Sequence, residues 1–307
     1  MASDRDPLGE RLALVRALDR GASVGATSRP SSSRAAMLAT ALAGRPATLP
    51  AAAPGSAAGL LVEVSDALDA DLATLDEPLW VTPVIFDWSV QDTVAHLSAV
   101  HEVLCARLNG TDVGAVTSDE LDAATNRLLT ISRREAPEVT RERFRAAVCR
   151  LRHGLEVCDT EINWLGLVAP AETIIVDRAF ETWVHANDIR RATNRASLDP
   201  SGEHLKVLCD LAIELLPMAL IVSGYHHDAV VAVNLSGPGG GSWVMPLGIG
   251  AASGREFTFN ASARELCLLM GNRIDPADFA FTVRGTYVDA AAIARDLVDT
   301  APVFARA

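Results

Sequence analysis

The residues best suited to chemistry lie in Arg178-Ala-Phe-Glu181-Thr-Trp-Val-His185-Ala-Asn-Asp188-Ile-Arg190. Four residues of α-helix turn through about 400°, so Glu181 and His185 project from one face, a turn apart. Such an ExxxH pair offers a cation one carboxylate oxygen and one imidazole nitrogen from a single rigid element. It needs a third ligand from elsewhere. His96, set among Val94, Ala95 and Leu97, stands on or beside the apolar face of another predicted helix. Two histidines and a carboxylate are a ligand set used by catalytic zinc, with one position left open for water or substrate. Taken singly, each part has a plainer reading: the ExxxH pair as solvated or capping groups, His96 as a hydrogen-bonded core histidine. Asp188, three residues past His185, and Asp92, four before His96, lie within a turn of a histidine and are candidates to orient its imidazole. Asp188 equally suits a salt bridge to Arg178, Arg190 or Arg191. Trp88 and Trp183 read as core packing, and His101, His153 and His204 as surface groups. His226 and His227 sit at a junction where pockets form.

Helices must position these groups. Leu60, Leu61, Val64, Leu68 and Leu72 recur at helical spacing and predict a helix over 57–75. Ser89 occupies an N-cap position with Asp92 in the acidic first turn, which predicts a second helix to about residue 108. A third is expected over 137–157 and a fourth over 171–196, with Pro200 just beyond its end. A fifth, over 203–223, leads out of this bundle. The rhythm then changes to strands at 230–235, 242–247 and 256–260, with Gly237 to Gly241 as a hairpin connection. A helix over 263–270, a strand over 279–283 and a helix over 288–297 complete the chain. The expected fold is therefore mainly α within the α+β class: a loosely docked extension over 1–55, a helical bundle over 56–225 and a small α+β domain over 226–307.

Composition narrows the function. With 49% hydrophobic and 21% charged residues the chain can bury a core, and a net charge of −12 without a long basic face argues against nucleic acid. The start Met1-Ala2-Ser3-Asp4-Arg5-Asp6 lacks the apolar core of a secretory signal, so a cytoplasmic protein is expected. The longest apolar run, residues 211–222, contains Glu214 and Pro217 and falls short of the roughly 20 residues that span a bilayer, so no membrane association is expected. The five cysteines, Cys105, Cys149, Cys158, Cys209 and Cys267, form no CxxC pair and read as reduced core residues.

WxxxDxxxHL at Trp88 to Leu97, together with RxxExxxHxxDIR at Arg178 to Arg190, resembles the mycothiol-dependent maleylpyruvate isomerase family. The resemblance covers about residues 57–300. It implies a DinB-like four-helix bundle that holds a divalent metal, usually zinc, through His96, Glu181 and His185, followed by a small α+β domain. That second domain would lend the site an arginine, by position Arg273, with Arg284 as competitor. It further implies mycothiol as thiol cosubstrate and a small unsaturated acid as its partner, with either isomerase or S-transferase outcome. Two other classes stay open at this point. One is a regulatory or ligand-binding protein with a structural metal, for which residues 1–55 would be the partner-binding element. The other is a zinc-dependent hydrolase, for which no HExxH motif is present.

Overall fold

Helix α1, Ala57–Leu72, starts where Ser56 accepts a hydrogen bond from the Gly59 amide, and its apolar stripe of Leu60, Leu61, Val64, Leu68 and Leu72 is buried as the spacing predicts. The protein is seen in a computed structural model that describes residues 55–110, 114–155, 160–248 and 255–305. The extension expected over 1–55 lies outside the described residues, Gly55 apart. Helix α2, Val90–Leu108, opens with a full capping box: the Ser89 side chain takes the Asp92 amide, and the Asp92 carboxylate takes the Ser89 amide at 3.0 Å. Helix α4, Pro137–Leu155, and helix α5, Ala171–Ala192, fall close to their predicted spans.

One bundle helix lies outside the expectation. Helix α3, Ser118–Ser132, is capped by Thr117 and buries Leu121, Ala124, Leu128 and Leu129, which recur at helical spacing among many polar residues. The short strands β1 (Pro83–Ile85) and β2 (Trp88–Ser89) form a hairpin before α2, and β3 (Glu161–Trp164) pairs with β4 (Leu167–Pro170) before α5. These strands are too short for a two-residue rhythm to register.

In the bundle α1 lies along α5, α2 along α4, and α3 beside α2. Ion pairs tie the helices at their polar edges, Asp69 to Arg141 at 2.6 Å and Asp71 to Arg190 at 2.6 Å. The larger contribution is apolar. Leu60, Leu61, Leu97, Leu104, Ile174 and Ile175 are fully buried, and each such side chain contributes about 1.5–3 kcal/mol by leaving water.

Helix α6, Gly202–Val222, touches α1 and α5 as well as the C-terminal elements. Those elements are β5 (Val230–Ser236), β6 (Gly241–Pro246), β7 (Glu256–Ser262), α7 (Ala263–Met270), β8 (Phe281–Arg284) and α8 (Ala290–Thr300). The sheet order is β6-β5-β7-β8, with β5 and β7 parallel and the outer pairs antiparallel. Leu216 of α6, Leu266 and Leu269 of α7 and Leu297 of α8 meet Val233, Met245 and Phe259 of the sheet around a void of only about 10 Å³. The β5–β6 hairpin needs its glycines: Gly239 has φ +74°, and a Cβ there would lie 2.8 Å from Leu205 of α6. The chain is thus mainly helical with a small C-terminal sheet, and among the described residues no helix is long and apolar enough to cross a membrane.

Candidate metal centre

Helices α2 and α5 bring the three expected side chains together. One ligand-type atom each of His96, Glu181 and His185 can be chosen so that all lie within 4.8 Å of one another. His96 Nε2 is 3.4 Å from Glu181 Oε1, and the two imidazole rings meet edge to face with centroids 5.6 Å apart. His185 is buried, while the His96 and Glu181 side chains keep 12% and 14% of their surface exposed, so the cluster opens to solvent on their side.

Each of the three groups is held from behind. His185 Nδ1 lies 3.2 Å from Asp188 Oδ2. An ionised carboxylate only accepts, so Nδ1 carries the proton and a neutral His185 presents a bare Nε2 lone pair. His96 Nδ1 lies 3.0 Å from Thr125 Oγ1 on α3, a hydroxyl that serves either tautomer. Arg178 Nη1 donates to Glu181 Oε2, leaving Oε1 towards the histidines. Two imidazole nitrogens and one carboxylate oxygen, converging with their far sides occupied, fit a divalent cation of zinc type with a position left over. Burial alone would raise the Glu181 carboxyl, but Arg178, His96 and His185 outweigh it and hold it well below the usual carboxylate range. Burial likewise opposes ionisation of Asp188, yet His185 and Arg273 bring it down to about 2. The site's acids are anionic at neutral pH.

Asp188 meets His185 and also pairs with Arg191 at 2.9 Å. It further receives Arg273, whose Nε and Nη2 approach within 2.9 and 2.6 Å. Arg273 is therefore joined to the histidine cluster through Asp188, while Arg284 lies exposed on β8. Asp92 departs from the expectation. Its carboxylate is taken by the Ser89 cap and by Arg133 at 2.8 Å, and the group behind His96 is Thr125 instead. Helix geometry explains this: a residue at the third position reaches back to its own N-cap more readily than forward to the next turn.

Other expectations need correction too. His101 and His204 are buried rather than on the surface, because His101 faces Phe144 and Thr182 inside the bundle and His204 is held by Glu63 of α1. Cys105, Cys209 and Cys267 are buried free thiols, but Cys149 is exposed on the outer side of α4, and Cys158 lies outside the described residues. His226 is exposed and His227 pairs with Asp296, away from the cluster. Trp183 is core packing; Trp88 packs partly against the core and also lies tilted against the His96 ring with centroids 4.8 Å apart. Arg178 carried a sequence signal, three residues before Glu181 in a helix, whereas Thr125 sits on the helix absent from the expectation.

Comparison with known proteins finds relatives of the helical bundle. Residues 61–190 match the family model described as the mycothiol maleylpyruvate isomerase N-terminal domain. Two uncharacterized proteins of Mycobacterium tuberculosis, from strains CDC 1551 / Oshkosh and ATCC 25618 / H37Rv, are each 26% identical over 222 residues, which is 68% of this chain and 82% of theirs. Among solved structures, the mycothiol-dependent maleylpyruvate isomerase superposes with a TM-score of 0.52 at 17% identity, covering 74% of this chain and 91% of that one. A histidine-to-alanine mutant of that enzyme gives 0.52 at 16%, with the same coverage. At such identity the likeness establishes a shared fold.

Proposed function

From the premise that residues 61–190 are a domain of the mycothiol maleylpyruvate isomerase N-terminal family, we propose that this protein is a metal-dependent enzyme of the cytoplasm. It would use a low-molecular-weight thiol, mycothiol, on a small unsaturated acid, as an isomerase or an S-transferase. The observation that carries the reading is the convergence of His96, Glu181 and His185. These three would hold the ion, with the bundle over 56–225 supplying them and the α+β part over 226–307 supplying Arg273. Bound there, a zinc-type cation stabilises a thiolate over a thiol.

The chain's own groups do the rest. Asp188 keeps the proton on His185 Nδ1 and so keeps Nε2 free for the ion, and Thr125 holds the His96 ring in place through Nδ1. Arg178 fixes Glu181 in one rotamer and keeps it anionic. Arg273, on the wall of a cleft, would set a fixed positive charge against the negative charge that develops as the thiolate adds to the conjugated carbon. Rotation about the resulting single bond and expulsion of the same thiolate would return the geometric isomer; protonation of the adduct instead would make the addition permanent.

The test is incubation of zinc-loaded protein with mycothiol and a panel of α,β-unsaturated acids, followed by mass spectrometry and NMR. An adduct or an isomer formed by the wild type and lost in Glu181→Ala supports the reading. Absence of both across the panel contradicts it.

A further inference from the structure

An open cleft of about 530 Å³ is lined by Ile85, Phe86, Arg191, Asn272, Arg273 and Ala305, and its two arginines reach Asp188, the carboxylate behind His185. Two guanidinium groups on this wall, Arg191 and Arg273, share the single buried carboxylate of Asp188, and no lining residue is acidic. One positive charge is left over. Arg273 is spent on the inner side: its side chain is only 12% exposed, Nε and Nη2 face Asp188, and Nη1 donates to the Gly271 carbonyl at 2.7 Å. Arg191 touches Asp188 through Nη2 and otherwise stands 65% exposed on the cleft wall.

Opposite in kind is Phe86. It belongs to the two-residue connection between Ile85 and Trp88, has φ +51° and is 64% exposed. Glycine or asparagine ordinarily fills such a position, since a bulky residue there is strained. An aromatic ring that is both strained and exposed gains nothing from packing in a core, although it meets Trp88 edge to face at 5.9 Å, and Trp88 in turn lies tilted against His96. Local rules broken without a folding benefit point to a ligand.

We infer that this cleft is a subsite for a small conjugated carboxylic acid, in which Arg191 recognises the carboxylate and Phe86 covers the hydrocarbon. The inference rests on the function proposed above but names specificity-determining residues that the metal cluster does not. A charged-group hydrogen bond lost on the exposed rim corresponds to about a tenfold change in affinity or more.

Isothermal titration of the full chain with sorbate and with its neutral isostere sorbamide tests it, without added thiol. Wild type should bind sorbate more tightly than sorbamide. Arg191→Gln should weaken sorbate about tenfold and leave sorbamide unchanged, with Arg191→Lys recovering part of the loss. Phe86→Gly should weaken both ligands while raising the melting temperature, because it relieves the backbone; a purely structural Phe86 would lower it. Failure of wild type to bind sorbate, equal affinity for the two ligands, or sorbate binding undiminished in Arg191→Gln overturns the subsite. Sorbate binding as described, with no thiol-dependent product from any unsaturated acid, would leave the subsite standing and overturn the thiol reaction.

Discussion

Arg273 and Asp188, 85 residues apart, meet in a forked ion pair, with Arg273 Nη2 2.6 Å from Asp188 Oδ2 and Nε 2.9 Å from Oδ1. The same Oδ2 faces His185 Nδ1, so a helix of the bundle and a loop after α7 are joined at the back of one imidazole. Asp188→Asn should therefore act on metal and stability together. The amide is free to turn its NH2 towards His185, which would favour the wrong tautomer, and it leaves Arg273 without its anion. We expect metal affinity to fall about 10–100-fold and stability by about 3 kcal/mol, read by chelator competition and urea unfolding. Unchanged affinity would show that Asp188 does not govern His185.

Asp92 makes the contrasting case. Its carboxylate closes the capping box of α2 and pairs with Arg133, whose side chain is half exposed. Asp92→Ala should cost about 1 kcal/mol of stability and leave metal affinity as it was. A loss of affinity comparable to that of Asp188→Asn would restore Asp92 as a group acting on His96.

Buried His101 sets a pH dependence. Burial, with a smaller effect from Arg178, lowers its pKa to about 3, against an ordinary value near 6.5. The unfolded chain takes up this proton as pH falls through 6.5, whereas the folded chain refuses it until about 3. Stability is therefore lost on acidification across that window. Between pH 7 and pH 5 the loss should be about 2 kcal/mol from this residue. His101→Leu should flatten the urea-unfolding stability of the protein over this interval by that amount. Thr182 keeps a partner in the variant, since its hydroxyl also donates to the Arg178 carbonyl. Equal slopes for the two proteins would mean that His101 titrates as freely folded as unfolded.

The sequence makes legible what periodicity and capping encode. Helix α2 is announced by Ser89 and Asp92, and the ExxxH pair is fixed by the pitch of a single helix; His96 adds only the assumption that two apolar faces meet. Helix α3 escapes because charged residues dilute its apolar stripe, and Thr125 escapes with it. The pairing of Arg178 with Glu181 follows the three-residue spacing of a helix, but Asp188 has three cationic neighbours on its own helix and takes Arg191 from among them together with Arg273 from a distant loop. Such a choice depends on how elements pack, which no local pattern records. His101 and His204 look like surface groups for the same reason, until a facing helix encloses them.

The proposed chemistry requires that His96, Glu181 and His185 share one cation. Metal analysis of purified wild type beside His96→Ala, Glu181→Ala and His185→Ala, each confirmed folded by circular dichroism, tests it most directly. We expect about one equivalent of divalent metal, zinc foremost, in the wild type and a loss of most of it in each variant. The same metal content in all four proteins would contradict it.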